Sequence, residues 1–434
     1  MPLEARELLS AGGYFVPSFL THPAGAGVAA RPNTPVLPFA AATKTATFID
    51  PSVRIVNGNH VIIGTKTYIA PFAHLGAKSG FIKIGTGSAV LDNAVINSNP
   101  SNAQHPTTDV LIGDSVQVDY GAKVYGPSII GAYGAAAKPT EIGPNAVING
   151  ATVEAGAIVG ALAYVGPGVV IPAGYYVLPG ASVTTQAQAT DPALGKVETT
   201  VPATLVSNLK TSLTDNADLA MGYTNLYQGN SATGVQAGAA TTSATAGPFN
   251  GFLPGVEGAS AEPGPTFLPT EPSAALPKFA APGGAEVTAQ LPFYRARVIG
   301  GVVVHEGAGN FAHALGLANS IRGDEGQPIT IGSITQTGNN VTITSPLSGT
   351  LTIGQNFVAG NGAVILGGPT VKAVIGDNVN VGAGAVVSQS SIGDGATIGA
   401  GAYVSNSTVA AGATIAPGTI LINNVVVGTV QGPG

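Results

Sequence analysis

Few side chains in this sequence can act as bases, nucleophiles or metal ligands. Cysteine is absent, which excludes a thiolate ligand, a thiol nucleophile and a disulfide framework. Histidine, the usual base or metal ligand near neutral pH, occurs six times. The histidines are His22, His60, His74, His105, His305 and His313. No two of them have a spacing typical of a metal site, so the histidines alone predict no metal centre.

Three histidines and one charged segment are the candidates for chemistry. His105 stands in a polar, proline-bearing stretch predicted to be a protruding loop, where it could act as a general base or a displaced metal ligand. The alternative is a histidine surrounded by solvent. Phe-Ala precedes both His74 and His313, and this repeated context favours a structural role. Arg322, Asp324 and Glu325 stand close together in the sequence and are interpreted as a structural ion-pair group.

A repeat of six residues organises the chain around these candidates. From residue 145 onward an aliphatic residue recurs at every sixth position, and Gly and Pro stand between. The recurring residues are Val147, Val153, Val159, Val165, Ile171, Val177 and Val183. Because six is three times the period of a strand, these residues all point the same way, while Gly and Pro mark bends. Three hexapeptides close one triangular coil of a parallel β-helix, whose strands pair with the coils above and below.

The same period appears in two separate parts of the chain. In the first part it includes Ile63, Ile69, Leu75, Ile84, Val90, Ile96, Ile112, Val118, Val124 and Ile130. In the second part it includes Ile353, Ala359, Ile365, Ile375, Val381, Val387, Ile392, Ile398, Val404, Val409, Ile415, Leu421 and Val427. The predicted fold class is therefore all-β, with two tandem left-handed parallel β-helices and a helix after the first.

The limits of the repeat set the expected domains. The first β-helix is predicted over residues 46–203 and the second over 295–434. Leucines at loose i, i+4 spacing predict a packing helix over 204–228. An Ala, Thr, Gly and Pro rich linker follows over 229–294, and residues 1–45 are predicted to form an N-terminal arm.

Composition excludes several classes of partner. The chain has 434 residues, a net charge of −6 and only 16 basic residues, which are not clustered, so no nucleic-acid surface is expected. No apolar run reaches the roughly 18 residues of a membrane-spanning helix. The first residues lack the basic segment and apolar stretch of a secretory signal, which favours a cytoplasmic location. The low charge content would equally suit an extracellular protein.

One part of the first repeat resembles a known family. The run Ile69-Ala-Pro-Phe-Ala73, then Ile84-Gly85, then Val90-Leu-Asp92-Asn-Ala-Val-Ile96, is similar to the signature of γ-class carbonic anhydrases, and the resemblance covers about residues 50 to 228. It implies a left-handed β-helix that forms a homotrimer. It also implies three histidines that bind zinc or another divalent metal between subunits and activate a water molecule.

The positions that the resemblance assigns to the metal ligands hold other residues. The first histidine position is Asn97, and the pair five residues apart falls on Tyr120 and Tyr125. In the second β-helix the pair falls on Asn361 and Leu366. A phenol at neutral pH is a poor metal ligand. The zinc site of the family is therefore predicted to be lost, and no cofactor is predicted.

Other family positions survive in part. Asp92 matches an aspartate of the signature, whereas the family's arginine corresponds to Gly76 in the first β-helix. In the second β-helix, Arg322-Gly-Asp324-Glu-Gly resembles the family's Arg-x-Asp-Glu-Gly segment. His105 could approach Asn97 and the Tyr125 position of a neighbouring subunit.

Three functions follow from these observations. The first is a non-catalytic trimeric structural or scaffolding protein with no partner assigned beyond its own copies. The second is an enzyme, either a divergent carbonic anhydrase or a hexapeptide acyltransferase with His105 or His305 as base. The third is an extracellular or surface β-solenoid. Metal analysis, coenzyme A thioester binding and cell fractionation distinguish them.

Overall fold

The structure is a computed structural model, and it describes most of the repeat-bearing chain. The described residues are 47–50, 52–78, 80–98, 108–228, 256–257, 277–281, 283–289, 291, 296–324, 328–345, 349–368 and 373–432. The predicted N-terminal arm and His105 lie outside them.

The first β-helix has three parallel sheets, called here A, B and C. Sheet A contains Phe48–Ile49, Tyr68–Ile69, Ala89–Val90, Val116–Val118, Thr140–Ile142, Ile158–Val159, Tyr176–Val177 and the antiparallel Val197–Glu198. Sheet B contains Arg54–Val56, His74–Ala77, Val95–Ser98, Lys123–Tyr125, Val147–Asn149, Tyr164–Val165, Ser182–Val183 and, beside the first strand, Val256–Glu257. Sheet C contains Val61–Ile63, Ile82–Ile84, Val110–Ile112, Ser128–Ile130, Thr152–Val153 and Val170–Ile171.

The second β-helix has sheets D, E and F. Sheet D contains Lys278–Ala280, the antiparallel Glu286–Thr288, Val302–Val304, Ile329–Ile331, Leu351–Ile353, Ala373–Ile375, Ser391–Ile392 and Thr408–Val409. Sheet E contains Ala296–Gly300, Asn319–Gly323, Thr342–Thr344, Val364–Leu366, Val386–Ser388, Tyr403–Ser405, Thr419–Ile422 and the antiparallel Val425–Thr429. Sheet F contains Ile334–Thr337, Phe357–Ala359, Asn380–Val381, Thr397–Ile398 and Thr414–Ile415.

The fold class predicted from the six-residue period is confirmed, because successive strands pair in parallel with strands of the next coil and the aliphatic residues fill two separate cores. Two positions assigned to the cores are wrong. The strand Val147–Asn149 places Ile148 inside the first β-helix, so Val147 points outward. Val427 is exposed, because it belongs to a hairpin strand that no other described strand covers.

In the described part of the chain, three α-helices accompany the sheets. Helix α1, Gln186–Thr190, begins with a capping box in which Thr185 and Gln188 bond to each other's backbone N–H. Helix α2, Ala203–Gln228, runs beside sheet A and contacts its first strands. Helix α3, Ala308–Ala314, packs its Phe311 into the second core. Short 3-10 turns lie at Gly58–His60, Gly134–Ala136 and Pro192–Leu194.

Part of the segment predicted as a linker belongs to the sheets. The strands Lys278–Ala280 and Glu286–Thr288 begin the second β-helix, and Val256–Glu257 pairs with the first. Backbone pairing needs no six-residue pattern, so the sequence did not indicate these strands. None of the helices in the described part of the chain combines the length and apolar character needed to cross a membrane.

Candidate functional site

Arg322 is fully buried between two carboxylates, one from each β-helix. Its Nε and Nη2 donate to the two oxygens of Asp92, at 2.9 and 3.0 Å. Its Nη1 donates to both oxygens of Asp324, at 2.8 and 3.0 Å. Asp92 follows a sheet A strand and Arg322 lies in a sheet E strand, so this ion cluster joins residues 230 positions apart. We call Asp92, Arg322 and Asp324 the ion cluster.

Hydroxyl groups complete the hydrogen bonding of the ion cluster. Ser320 donates its hydroxyl to Asp92, and Tyr223 of helix α2 donates to Asp324 at 2.6 Å. Burial raises the pKa of Asp92, while Arg322 and the Ser320 hydroxyl act in the opposite direction. Burial alone would lower the pKa of Arg322, but Asp324 and Asp92 raise it well above the ordinary value. The Arg322 guanidinium therefore stays protonated, and it has no contact with water.

An apolar cluster surrounds the ion cluster and joins sheet A, helix α2 and sheet E. We call it the interface cluster. Its buried members are Phe48, Tyr68, Ala70, Ala89, Leu91, Tyr120, Leu219, Ala220, Tyr223, Ile299, Val364, Leu366 and Val386. Tyr120 and Leu366, two positions that the resemblance assigns to metal ligands, thus lie in a packed contact between the two β-helices.

Asparagine side chains at two corners of the first β-helix also reach the second. Asn93 donates to the Thr342 hydroxyl at 3.0 Å. Asn145 donates to the backbone carbonyl oxygens of Gly362 and Gly384, at 3.0 and 3.1 Å. Both asparagines have left-handed backbone conformations, with φ of 59° and 54°. Asparagine tolerates this conformation at a bend, so the corners can present donors to the neighbouring solenoid.

Two acidic side chains, the buried Asp119 and the partly buried Glu141, lie on the outward side of sheet A and were not predicted. Asp119 accepts a bond from the backbone N–H of Tyr120 at 2.7 Å, and its carboxyl shares a hydrogen bond with that of Glu141. Burial raises the pKa of Asp119 to about 6 and that of Glu141 well above the ordinary value. Tyr403 of the second β-helix lies close enough for both acids to raise its own pKa, after the larger effect of burial. We call Asp119 and Glu141 the acid pair.

The other two positions that the resemblance assigns to metal ligands in the first β-helix, Asn97 and Tyr125, lie on the outward side of sheet B. Asn97 and Tyr125 stand opposite each other on neighbouring parallel strands, and Gly76 is the next residue in the same row. A Cβ atom on Gly76 would lie 1.9 Å from Asn97 Oδ1, so a larger residue there, such as the family's arginine, would require the Asn97 side chain to move. Asn97 Oδ1 is buried and has no hydrogen-bond partner among the described residues. His74 stands two residues before Gly76 on this strand, so it faces the same side.

Asn361 lies in a shallow groove of about 350 Å³ on the second β-helix. The lining residues are Gln336, Gly338, Val358, Ala359, Gly360, Asn361, Asn380, Val381, Gly382 and Ala383. Their polar side chains are amides, and none of them titrates near neutral pH. The Asn361 Oδ1 atom accepts a bond from the backbone N–H of Asn339 at 2.8 Å. This groove can accept hydrogen bonds and apolar contacts but holds no acid or base.

The residues at the ligand positions do not fit the metal that the resemblance implies. Asn97 and Tyr125 lie on sheet B, whereas Tyr120 is buried in the interface cluster. Among the described residues, no three His, Cys, Asp or Glu side chains lie close enough together to hold a metal ion. The structure instead pairs Arg322 with Asp324, as the sequence analysis interpreted them, and adds Asp92, which the sequence analysis did not bring to them. The only signal in the sequence was the charge of Arg322, because an arginine buried in a strand needs an anionic partner.

Comparison with known proteins supports the repeat. Residues 372–406 match the family described as bacterial transferase hexapeptide (six repeats). No curated protein has a sequence that matches this chain significantly. Solved structures with likeness include a hexapeptide transferase family protein from Anaplasma phagocytophilum, 19% identical, with a TM-score of 0.26 over 40% of this chain and 91% of that one. Another is a putative acetyltransferase from Bacillus cereus, 18% identical, with a TM-score of 0.22 over 41% and 91%.

With identities and TM-scores this low, neither structural likeness carries weight for function. The chain carries the hexapeptide repeat, and its fold is the left-handed β-helix that this repeat builds.

Proposed function

We propose that this chain is a γ-carbonic-anhydrase-like β-helix protein that has lost its metal-dependent reaction and acts as a structural or scaffolding module. One observation carries the proposal. Tyr120 and Leu366, at ligand positions of the family, are buried in the interface cluster, and Asp92 of the family signature is bonded to Arg322. Side chains that pack two solenoids together are not available to bind a metal or a substrate.

The chemistry of the remaining positions supports the same function. Asn97 and Tyr125 are an amide and a phenol, and neither is a good ligand for a divalent metal at neutral pH. A zinc site needs three protein ligands and one open position for water. Nothing at these positions supplies that set.

Metal analysis together with a CO2 hydration assay tests the loss of the reaction. Purified protein is incubated with zinc, desalted, analysed for metal and assayed beside a known carbonic anhydrase as positive control. We expect zinc well below one equivalent per chain and a hydration rate equal to that of buffer. Stoichiometric zinc together with a faster rate would show a divergent carbonic anhydrase that uses substitute ligands.

The resemblance also leads us to propose a homotrimer. Light scattering coupled to gel filtration measures this directly, because one chain has a mass of 42.6 kDa. A particle whose mass corresponds to three chains, or to a multiple of three, supports the trimer. A monomer refutes it.

Acyl transfer is the second candidate function, and the transferase hexapeptide match over residues 372–406 favours it. The groove around Asn361 overlaps this stretch and could receive part of a coenzyme A thioester. Calorimetric titration with acetyl-coenzyme A tests it, with Asn380→Trp as the variant that fills the groove. Binding that this variant abolishes supports acyl transfer. Binding would still need a base from outside the groove for acyl transfer, because no side chain lining the groove can serve as one.

A further inference from the structure

The last strand of sheet E, Val425–Thr429, exposes three consecutive valines. Val425, Val426 and Val427 are 57%, 62% and 58% exposed, the three highest values among the large exposed apolar side chains. The strand forms a hairpin with Thr419–Ile422. The turn residues Asn423 and Asn424 have φ of 52° and 65°, as a two-residue turn with mirror-image geometry requires.

Hydrogen bonds beyond the strand hold it in place. Val430 N–H donates to the Gly418 carbonyl oxygen at 2.7 Å, and Gln431 N–H donates to the Gly180 carbonyl oxygen of the first β-helix at 2.8 Å. A contact with both β-helices fixes the strand as a rigid element. Little conformational entropy would then be lost if it bound another strand.

The Val425–Thr429 strand is an edge, because it has one neighbour in sheet E and none of the other described strands lies on its far side. Its outer backbone groups can therefore accept a further strand. Natural proteins commonly protect such edges with charges. The edge strand of sheet D follows this rule, since Glu286 forms an ion pair with Lys278 at 3.5 Å.

No charged residue protects the Val425–Thr429 edge. From residue 395 to residue 434 the sequence contains no Asp, Glu, Lys, Arg or His. One irregularity in the pairing leaves Val427 without a partner in the ladder, but the valines on either side of Val426 stay exposed. An uncharged, apolar edge meets no electrostatic repulsion from an identical edge.

We propose that the Val425–Thr429 strand pairs antiparallel with the same strand of a second copy of this chain. A twofold axis at Val426 would place Val425 opposite the partner subunit's Val427 and Val426 opposite the partner subunit's Val426. The valine triplet is complementary to itself in this arrangement, and twofold pairing closes the contact so that no edge remains. This contact uses a different surface from the interface cluster and does not depend on the proposed function.

Cysteine cross-linking tests the geometry, because the natural chain has no cysteine. In Val426→Cys the two thiols would meet on the axis, where the Cα atoms of opposed antiparallel residues are about 4.5–5.5 Å apart. That distance suits a disulfide. The matched control is Val287→Cys, since Val287 is 46% exposed on the charged edge of sheet D.

Under mild oxidation at micromolar concentration we expect Val426→Cys to form a disulfide-linked pair of chains and Val287→Cys to stay unlinked. Equal cross-linking of both variants, or none in Val426→Cys, would overturn the proposed contact.

Light scattering provides a second measurement that does not need a disulfide. In Val426→Lys two like charges would meet at the axis, so the particle mass should fall to half that of the wild type, whatever the number of chains joined by other surfaces. Val287→Lys should leave the mass unchanged. A Val426→Lys protein with the wild-type mass and a folded circular dichroism spectrum would contradict the proposal. If the chain also forms the proposed trimer, the wild type would be a hexamer and Val426→Lys would be a trimer. Failure of the proposed trimer is therefore distinguishable from failure of the valine contact.

Discussion

Arg322 joins the two halves of the chain through a buried ion cluster. Its guanidinium neutralises Asp92 from the first β-helix and Asp324 from its own strand, and all three side chains are shielded from water. Replacing a whole buried ion cluster by apolar residues can be neutral, but removing one partner leaves a charge uncompensated. Removing Arg322 should be especially costly, because it would leave two carboxylates without a cation.

Arg322→Met should therefore lower the free energy of unfolding by about 3–5 kcal/mol. Urea unfolding followed by circular dichroism measures the change. The control is Lys278→Met, which breaks an ion pair whose side chains are 55% and 48% exposed and should cost about 0–1 kcal/mol. A loss in Arg322→Met no larger than in the control would show that the ion cluster contributes little.

The acid pair makes stability depend on pH. Asp119 has a pKa of about 6 and Glu141 a pKa well above its ordinary value, mainly because burial disfavours the charged carboxylate. The unfolded chain has carboxyl pKa values near 4. A raised folded pKa favours the protonated form, so stability is greatest below about pH 4 for these two groups and is lost as pH rises through about 6. The charge of nearby Asp92 acts in the same direction on Asp119.

The free energy of unfolding contributed by the acid pair should fall between pH 5 and pH 8 by an amount on the order of 2 kcal/mol. Glu141→Gln keeps the shape and removes one charge, so its stability should change less over this range than that of the wild type. Glu198→Gln changes an exposed glutamate at the edge of sheet A and is the control. An identical pH profile in wild type and Glu141→Gln would exclude the acid pair as its source.

Among the elements, helix α2 fills the angle between the two solenoids. Near its middle, Ser212 donates to Gln117 of sheet A at 2.8 Å, and Asn216 donates to the same oxygen at 3.4 Å. Near its end, Leu219 and Ala220 join the interface cluster, and Tyr223 bonds to Asp324. The helix thus contacts sheet A along its length and the second β-helix at its end.

Leu219→Ala should cost about 2–5 kcal/mol of unfolding free energy, because the side chain is fully buried and its removal leaves a cavity. The thermal midpoint measured by calorimetry should fall accordingly. Leu194→Ala removes the same atoms from a side chain that is 49% exposed and should change stability by less than about 0.5 kcal/mol. Similar effects in both variants would mean that helix α2 does not support the interface.

At the scale of the whole molecule, the two β-helices form a contact that resembles a subunit interface. It has an apolar centre, a buried ion cluster and hydrogen bonds from corner residues, all contributed by segments far apart in the chain. Such a contact should persist without a covalent connection.

A protease site inserted after Gly264, within the stretch predicted as a linker, tests this expectation. After cleavage the two halves should elute together from gel filtration, since sheet A and helix α2 lie in one half and sheet E in the other. The same cut in Arg322→Met weakens the interface, so its halves should separate at protein concentrations at which the wild-type halves still elute together. Separation of the wild-type halves at micromolar concentration would show that the connection, and not the interface, holds them together.

The sequence by itself determined the β-helix. A six-residue period fixes which side chains point inward, because strand geometry alternates every residue and Gly, Pro or Asn marks each bend. It failed locally at Val147, where a three-residue strand shifts the inward position to Ile148, and at Val427, where the coil ends. The family resemblance also predicts histidine where Asn97, Tyr120 and Tyr125 stand, and the loss of a metal site there stays a prediction.

Only the tertiary structure decided what the outward faces contact. The period does not indicate which sheet of one solenoid meets which sheet of the other, so it could not bring Asp92 to Arg322 or bury Leu366 beside sheet A. Nor could it pair Asp119 with Glu141, because loops of different length set the register between neighbouring coils. Inward positions follow from local backbone geometry, whereas outward contacts depend on how two rigid bodies fit together.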